Sequence, residues 1–335
     1  MAVSPKKVFI IWNEYNRRPD ILSQALKCER IFVKRIINNR SVFWKFLFWF
    51  DYLYKAVFTT VYLILKNPDI VFAQSPPSFC PMVCWIYCKI AKRMIIIDGH
   101  NNAFEKPWIS VPLYRQVMER SKFVLVHNEE LNRTLTKKYQ NVNFFVLPDR
   151  IFHLNSVDIV NQDTAGKYFL IIASFAADEP LIELLEGIIL FLTQTGEDIE
   201  FKITGNYKRK INIYDTYKEV KGIKFLGYID DTRYFSYFNN AFGIIALTTR
   251  PMVQQCAAIE AIGAQIPIIT SDNTTNRRIF FKGAVLTNNY RIEIKDAINT
   301  FIKTNSTLRK EMEELKLYHA GEWEKKFNGF LTALG

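Results

Sequence analysis

The chain has 335 residues, of which 49% are hydrophobic and 23% are charged. This composition excludes a disordered chain, and the length allows two domains of ordinary size, each with its own core. The 5 cysteines are odd in number and no secretory signal precedes the first apolar run, so we expect a reducing, cytoplasmic setting.

Positive charge is concentrated in the first half of the chain. Residues 1–152 carry 23 Lys and Arg against 11 Asp and Glu, a net charge of +12, whereas the whole chain has +11. A basic half can meet nucleic acid, an anionic membrane surface or an anionic substrate. Nucleic acid is disfavoured because the chain has no zinc-finger spacing, no RNP-like aromatic motif and no basic repeat.

An aromatic segment lies within this basic half. Residues 41–66 read SVFWKFLFWFDYLYKAVFTTVYLILK, and Lys45, Asp51 and Lys55 interrupt the apolar run. A membrane-spanning helix needs about 20 residues with few or no charges. We therefore predict an amphipathic helix that is buried or lies at a membrane interface, with its aromatic side chains at headgroup level. A core helix of an α/β domain is the alternative.

Strands and helices alternate from the N-terminus. KVFIIW (residues 7–12) predicts a first strand, and Asp20 is a candidate N-cap for the helix after it. Arg17 and Arg18 then fall in the connecting loop, where paired guanidinium groups suit a phosphate, although a solvated basic turn is the simpler interpretation. DIVFA (residues 69–73) predicts a further strand, followed by the stiff loop QSPPSF.

The next helix and strand carry two polar patterns. Cys80, Cys84 and Cys88 recur every four residues, so they share one helix face; we predict buried core cysteines, because metal sites draw cysteines from turns. RMIIID (residues 93–98) is a strand that ends in DGHNN. Asp98, His100 and Asn101 there suit hydroxyl binding or acid/base chemistry, and a turn capped by Asp and Asn is the alternative.

The same alternation continues to residue 152 and restarts after a polar linker at residues 152–167. YFLIIAS, FKITG, IKFLGYID, FGIIALT and IPIIT predict strands of a second domain, and Asp178 is a candidate N-cap for the helix at residues 181–192. Alternating strands and helices with short links indicate doubly wound parallel sheets. The fold class is therefore α/β.

The stretch TTRPMVQQCAAIEAIGAQIPIITSD (residues 248–272) is a strand, a polar turn, a helix and a second strand. Unpaired amides at a helix N-terminus attract phosphate, and a carboxylate further along the helix accepts hydrogen bonds from ribose hydroxyls. This order suits a nucleoside diphosphate, with Glu260 on the ribose. An ordinary βαβ unit with a solvated glutamate is the alternative.

Several segments together resemble the GT-B glycosyltransferases, whose two Rossmann-like domains face each other across a cleft. The segments are RRPDILSQAL, SPPSF, DGHN, SFAADEP and the stretch around Glu260, so the resemblance covers nearly the whole chain. The last of them matches the superfamily pattern Glu-Ala, Gly-x-Pro and Ser-Asp at Glu260-Ala261, Gln265-Ile266-Pro267 and Ser271-Asp272. The set is similar to bacterial members of retaining family 4 (glycosyl transferases group 1), with a second similarity to the mannosyltransferase that acts on chitobiosyldiphosphodolichol.

The chain departs from that pattern at three places. Met252 stands where family 4 has the first of two glutamates, and Gln265 stands where the pattern has glycine. The basic pair that grips the pyrophosphate is absent from SFAADEP, and Arg250 or Lys208 is its candidate substitute. The family 4 similarity implies retention of anomeric configuration and the mannosyltransferase similarity implies inversion, so both outcomes stay open.

The resemblance implies two domains, a C-terminal helix and a set of roles. Residues 1–152 would bind the acceptor, residues 153–318 would bind the nucleotide-sugar, and a C-terminal helix at residues 319–335 would return to the first domain. The donor would be a UDP- or GDP-hexose. Its implied binding residues are Glu260, Ser174, Phe175, Thr249, Arg250, Gln254 and Gln255. Asp98 and His100 are the implied catalytic residues, and Arg17, Arg18 and Asn101 the implied acceptor-binding residues.

The predicted function is metal-independent hexosyl transfer from a nucleotide-sugar to a lipid-linked or polysaccharide acceptor, in surface glycan biosynthesis at the inner membrane face. No Asp-x-Asp pair occurs, which argues against a metal-dependent glycosyltransferase fold, and donor amides with arginine can stabilise a leaving diphosphate without metal. We predict no cofactor. A GT-B sugar-nucleotide epimerase and a degenerate, non-catalytic GT-B partner subunit are the alternatives.

Overall fold

The computed structural model describes residues 5–14, 16–36, 44–151, 166–253 and 255–335, without the side chains of residues 44–47. The chain divides into two compact units. Unit 1 comprises Met1–Arg150 and Lys325–Gly335, and unit 2 comprises Ile151–Glu324. Each unit contains a six-stranded sheet in which the neighbouring strands are parallel. The predicted α/β class is confirmed.

Unit 1 has the strand order β2-β1-β3-β4-β5-β6. Its strands are β1 Lys7–Ile11, β2 Glu29–Phe32, β3 Ile70–Ser75, β4 Met94–Gly99, β5 Phe123–Val126 and β6 Phe144–Val146. Its helices are α1 Arg17–Ala25, α2 Trp44–Lys66, α3 Phe79–Ala91, α4 Tyr114–Arg120 and α5 Glu129–Lys138. The order reverses between β1 and β3, and open α/β sheets bind ligands beyond the carboxyl ends of strands near such a reversal.

Unit 2 has the strand order β12-β11-β10-β7-β8-β9. Its strands are β7 Tyr168–Ile172, β8 Glu200–Thr204, β9 Ile223–Gly227, β10 Gly243–Ala246, β11 Ile268–Ser271 and β12 Ala284–Thr287. Its helices are α6 Leu181–Thr195, α7 Ile211–Tyr217, α8 Asp231–Asn239, α9 Cys256–Ala264, α10 Thr274–Ile279 and α11 Arg291–Leu334. The reversal here lies between β7 and β10, so the loops after these two strands meet at the expected ligand edge.

Helix α11 is one continuous helix of 44 residues. In unit 2 its Ile294, Ile298 and Phe301 are fully buried and belong to the core cluster of β7 and β8. In unit 1 its Phe330 is fully buried and lies 5.3 to 6.4 Å, between ring centroids, from three sheet phenylalanines, Phe72, Phe123 and Phe145. The last turns of the helix are therefore held by the aromatic core of unit 1.

Two predicted helix caps are wrong. The first helix begins at Arg17, because the side chain of Asn16 accepts a hydrogen bond from the backbone amide of Arg18 and already caps it. Asp20 consequently lies inside the first turn. Asp178 does not cap α6, because its carboxylate accepts a hydrogen bond from the Thr248 hydroxyl, 3.1 Å away in the loop after β10. The short elements β2, α7 and α10 were not predicted.

Helix α2 has an unusual distribution of polarity. Asp51, Lys55, Thr59 and Leu63 recur every four residues and are buried, with Asp51 and Lys55 paired at 2.9 Å. The large apolar residues of the helix are exposed instead: Trp49, Phe50, Leu53, Tyr54, Val57, Phe58, Val61, Ile64 and Leu65. Asp51 and Lys55, two of the charges that interrupt the aromatic segment, thus face the protein, and the apolar surface faces outward. Within the described residues, no helix is long and apolar enough to cross a membrane.

Helix α3 packs beside α2 through Phe79, whose ring centroid lies 5.1 Å from that of Tyr52. Cys80, Cys84 and Cys88 are almost completely buried in the same core, and Cys80 approaches the carbonyl of Ile10 on β1. Burial raises the pKa of the Cys88 thiol, which therefore stays protonated at neutral pH. The prediction of buried core cysteines is confirmed.

Candidate active site

The carboxyl edge of the unit 1 sheet gathers polar side chains from four neighbouring strands and from α1. We call this group the edge cluster; its members are Arg18, Gln74, Asp98, His100, His127 and Asp149. Gln74 and Asp98 lie on neighbouring strands in register, and His127 and Asp149 follow β5 and β6. Because parallel strands end at the same edge, the sheet brings together residues that are up to 131 positions apart.

Arg18 is the centre of the edge cluster. Its Nε donates to Asp98 Oδ1 at 2.9 Å, its Nη1 donates to Asp149 Oδ1 at 2.7 Å, and its Nη2 donates to the Leu147 carbonyl at 2.9 Å. The side chain is only 8% exposed and Asp98 is fully buried. Arg18 therefore does not lie in the loop, as the sequence predicted, and its charge is offset by two carboxylates.

The two carboxylates of the edge cluster stay ionised. Burial alone raises the pKa of Asp98, but the Arg18 charge and the two neighbouring histidines, His100 and His127, together outweigh burial, and the pKa lies well below its usual range. Asp149 behaves in the same way, with its pKa held low chiefly by Arg18 against burial. Burial and the Arg18 charge lower the pKa of His127, which is neutral at pH 7. One arginine and two carboxylates leave the cluster with surplus negative charge.

His100 lies at the more accessible side of this cluster, with its side chain 22% exposed. Its Nε2 is 3.4 Å from Asp98 Oδ2 and 3.1 Å from the Gln74 amide, and its ring lies 4.9 Å from that of His127. An ionised carboxylate beside Nε2 favours the tautomer with the proton on Nε2. The Gln74 oxygen is buried without a hydrogen-bond partner among the described residues, so turning the amide over lets it accept that same proton. Nδ1 is then left with a lone pair.

The other two predicted acceptor residues, Arg17 and Asn101, are adjacent in sequence to members of the edge cluster, Arg18 and His100. Arg17 is the first residue of α1, and Asn101 begins a short 3-10 turn, Asn101–Phe104, directly after His100. Both are partly buried.

In unit 2, the loops after β7 and β10 are tied together at the strand-order reversal. The Thr249 amide donates to the Asp178 carbonyl at 2.8 Å, and the Thr248 amide donates to Ser271 Oγ at 2.8 Å. Asn289 joins the same edge by donating to the Thr248 carbonyl at 3.0 Å. Thr249, predicted in the donor site, is exposed at this edge.

Ser174 and Phe175 form the loop that follows β7. The Ser174 amide donates to both carboxylate oxygens of Glu179 at 2.9 and 3.0 Å, and its hydroxyl donates to the nearer oxygen at 2.7 Å. Phe175 is buried with φ +57°, a left-handed conformation that turns the backbone here. The loop therefore already binds an anionic group, the carboxylate of its own chain.

A basic turn after β8 reaches the same loop. Arg209 lies in the 3-10 turn Tyr207–Lys210, and its Nη1 donates to the Ser174 carbonyl at 3.1 Å. Gly205 makes this approach possible: its φ is +109°, and a Cβ there would lie 1.8 Å from the Ala173 carbonyl oxygen. Arg209, rather than the predicted substitute Lys208, is the basic residue hydrogen bonded to the loop.

Helix α9 presents its N-terminus after this edge. Gln255 is its N-cap residue and donates from its side chain to the Leu247 carbonyl at 3.1 Å, which fixes the turn to β10. Glu260 is 6% exposed and accepts a hydrogen bond from the Tyr234 hydroxyl of α8. Arg250 and Met252 precede the helix and both make further contacts. Gln254, also predicted in the donor site, lies outside the described residues.

The sequence analysis missed several residues of both edges. Gln74, His127, Asp149, Glu179 and Arg209 were not singled out. Four of them, all except Glu179, share one feature: each lies at the end of a strand or within about five residues of it. In the part of the chain that the structure describes, no group of three or more His, Cys, Asp or Glu is arranged to hold a metal ion.

No family model matches the chain, and no curated protein matches it by sequence. Solved structures, in contrast, do match this chain. HepE of Anabaena in complex with UDP and glucose aligns with a TM-score of 0.71 at 12% identity over 98% of this chain and 100% of that one. A glycosyltransferase from Rickettsia africae aligns with a TM-score of 0.67 at 12% identity over 98% of both chains. The chain has the GT-B fold.

A third similar structure carries a different activity in its name. A protein assigned as a UDP-N-acetylglucosamine 2-epimerase, from Listeria monocytogenes, aligns with a TM-score of 0.66 at 12% identity over 99% of this chain and 96% of that one. At these identities the likeness establishes the GT-B fold, which several activities share.

Proposed function

We propose that this chain is a glycosyltransferase that moves a hexose from a nucleotide-sugar to a lipid-linked or polysaccharide acceptor. The anion-binding loop of unit 2 carries the proposal. Its Ser174 amide and hydroxyl already hold a carboxylate, and Arg209, in the turn after β8, donates a hydrogen bond to the same loop. This is the environment that a diphosphate needs, at the strand-order reversal where such sheets bind nucleotides. HepE, with the same fold, has been crystallised with UDP-glucose.

In this account, unit 2 binds the donor. The diphosphate takes the place of the Glu179 carboxylate on Ser174, with Arg209 offsetting the charge that develops as the sugar leaves. The exposed Thr249 and the N-terminus of α9, after Gln255, supply further donors. Glu260 accepts hydrogen bonds from the ribose hydroxyls, and Tyr234 orients its carboxylate. Both similarities found in the sequence, to family 4 and to the mannosyltransferase, agree with a donor of this class.

Unit 1 supplies the acceptor chemistry. The acceptor hydroxyl oxygen attacks the anomeric carbon, the bond from that carbon to the diphosphate oxygen breaks, and the hydroxyl proton passes to His100 Nδ1. Asp98 and Arg18 act as positioning residues: the ionised carboxylate holds the imidazole tautomer and offsets its positive charge once it is protonated. Arg18 thus serves by keeping Asp98 ionised, and we assign the contact with the acceptor to Arg17 and Asn101.

The outward apolar face of α2 supports a peripheral position at a membrane surface. Nine large apolar residues are exposed on α2, while its Asp51 and Lys55 are buried. Water disfavours this arrangement, because each exposed large apolar side chain forgoes about 1.5–3 kcal/mol of burial free energy. An apolar interface removes that cost. Such a position would place the enzyme beside lipid-linked acceptors of surface glycan synthesis.

The edge cluster also favours a second candidate, a sugar-nucleotide epimerase, because two histidines and two carboxylates lie together there. An epimerase converts the donor sugar without an acceptor and keeps the nucleotide attached. The third candidate is a non-catalytic GT-B subunit, which Met252 in place of a glutamate suggests. Such a subunit would neither transfer the sugar nor convert it.

The experiment follows the fate of the nucleotide. The protein is incubated with UDP- and GDP-hexoses, with and without bacterial lipid extract, and free nucleotide and sugar composition are measured. A transferase releases UDP or GDP in an acceptor-dependent manner. A changed sugar on intact nucleotide indicates the epimerase, and no turnover with any donor contradicts the enzymatic proposal.

Replacing Glu179 with glutamine is expected to raise the affinity for the nucleoside diphosphate about threefold to tenfold. The variant loses the charge that competes for Ser174, and neutral acceptors bind such donors about half as strongly as charged ones. Calorimetric titration with the nucleotide measures the change. Glu183→Gln is the matched control, because it removes the same charge from an exposed position in the first turn of α6. Weaker binding by the Glu179 variant would mean that the carboxylate contributes to the site.

A further inference from the structure

Unit 1 has an open pocket of about 510 Å³ at the opposite end of its strands from the edge cluster. It lies between α3 and the starts of β4 and β5. Met94 and Ile95 begin β4, and Arg120, Ser121 and Lys122 directly precede β5. The proposed reaction uses none of these residues.

The lining of this pocket combines cations with an apolar wall. Lys89, Arg93, Arg120 and Lys122 line it, and no carboxylate is among the described residues that do so. Arg93 is paired with Asp69 at 2.7 Å, and the Lys89 ammonium lies 5.2 Å from the centroid of the Trp85 ring. The other three cations, Lys89, Arg120 and Lys122, and the apolar wall form a site for an anionic group that carries apolar substituents.

The pocket borders the apolar face already described. Trp85 and Lys89 line the pocket from one side of α3, while Ile86 and Ile90, one residue further along in each case, are exposed. Helix α3 packs against α2, whose outward residues include Leu53 and Ile64. We call the exposed apolar residues of α2 and α3 the apolar face.

We propose that unit 1 binds an anionic phospholipid, with the headgroup phosphate in the basic pocket and the bilayer surface against the apolar face. This inference rests on the proposed membrane contact and adds a lipid class and a headgroup site to it. Charge selects the occupant: a neutral membrane would gain nothing from the pocket, whereas a phosphate group offsets the positive charge of Lys89, Arg120 and Lys122.

The test measures binding to sedimented vesicles of phosphatidylcholine alone and of phosphatidylcholine with phosphatidylglycerol. Wild-type protein is expected to prefer the anionic vesicles. Arg120→Gln with Lys122→Gln is expected to lower partitioning onto the anionic vesicles about tenfold to thirtyfold, since each basic residue near an anionic surface contributes about 1 kcal/mol. Binding to neutral vesicles stays unchanged.

Two control variants separate the pocket from other effects. Arg133→Gln with Lys137→Gln removes the same charge from exposed positions on α5 of unit 1 and is expected to retain the preference. Leu53→Ser with Ile64→Ser changes the apolar face and is expected to weaken binding to both kinds of vesicle. Circular dichroism and thermal unfolding check that each variant is folded.

Each other outcome overturns a defined part of the proposal. Equal losses in the pocket and α5 variants would show diffuse attraction without a headgroup site. A saturable stabilisation by inorganic phosphate that the pocket variant loses, without any preference for anionic vesicles, would assign the pocket to free anions. Absence of binding to any vesicle, together with a dimer in gel filtration, would assign the apolar face to a second copy and refute the membrane contact. None of these outcomes bears on nucleotide release, which tests the transferase separately.

Discussion

Replacing Arg18 with methionine is expected to lower the free energy of unfolding at pH 7 by about 3–5 kcal/mol, the usual cost of removing one partner from a buried ion pair. Methionine keeps much of the side-chain volume, so the loss reports the charge. Asp98 is fully buried and Asp149 mostly so, and both would lose their main compensating partner. Urea denaturation of wild type and variant measures the difference.

The same variant has a defined pH dependence. In the wild type, the pKa values of Asp98 and Asp149 are depressed, so their contribution to stability is present above the unfolded pKa of about 3.9 and is lost as pH falls below it. Without Arg18, burial raises these pKa values and the carboxylates take up protons more readily. The deficit should therefore be largest at pH 7 and shrink toward pH 4.

The control is Arg115→Met. Arg115 pairs with Glu119 at 2.9 Å, but its side chain is 61% exposed, so we expect a loss of at most about 0.5 kcal/mol. If Arg18→Met also cost less than about 1 kcal/mol at pH 7, the edge cluster would not be the buried charge network described above.

Replacing His100 with asparagine is expected to lower kcat for sugar transfer about 100- to 10,000-fold, the range that a general base contributes. The affinity for the donor nucleotide should stay within about twofold of wild type, because His100 belongs to unit 1 and the donor residues belong to unit 2. Single-turnover transfer and calorimetric nucleotide titration measure the two quantities on the same preparation.

His319→Asn is the matched control, since His319 is a half-buried histidine of α11 that contacts the carbonyl of Ile279. Its loss should leave kcat unchanged. Asp98→Asn should lower kcat in the same direction as His100→Asn, because an uncharged amide no longer favours the proton on Nε2. A His100 variant with nearly normal kcat would exclude the general-base role and favour a retaining reaction without that base.

The sheets were predictable because parallel strands buried on both faces form short apolar runs between charged or turn residues. YFLIIAS and FGIIALT have this pattern, and they pair as neighbours in unit 2. Helix starts were less predictable, because Asn16 and Asp20 are both good caps and the contacts of the neighbouring Arg18 with the sheet edge are tertiary.

The polarity of α2 illustrates what a sequence pattern leaves open. From the sequence alone, Asp51 and Lys55 would be placed on the solvent-exposed face of the helix, because charged residues are mostly exposed. Their four-residue spacing, however, lets them pair with each other inside, and the Asp51 carboxylate also accepts from the Ile36 amide at 3.2 Å. Only the packing of the helix decides which face is turned outward.

The edge cluster was half predictable. Asp98 and His100 stand out because they follow a strand in one short motif. His127 and Asp149 follow β5 and β6, and their proximity depends on the strand order β4-β5-β6, which local patterns do not contain. Likewise, the hydrogen bond from the Ser174 amide to the Glu179 carboxylate is a contact within a loop, and no sequence periodicity indicates it.

Calorimetric titration of the purified protein with UDP, GDP, ADP and CMP tests whether unit 2 binds a nucleotide-sugar donor, with Glu260→Ala and Glu260→Gln measured alongside. We predict that one nucleoside diphosphate binds, and that Glu260→Ala weakens it about 10- to 100-fold, because a charged acceptor of hydroxyl hydrogen bonds contributes about 1.5–3 kcal/mol. The glutamine variant should lie between. Equal binding by all three proteins would remove Glu260 from the donor site, and no binding of any nucleotide would contradict the nucleotide-sugar transferase.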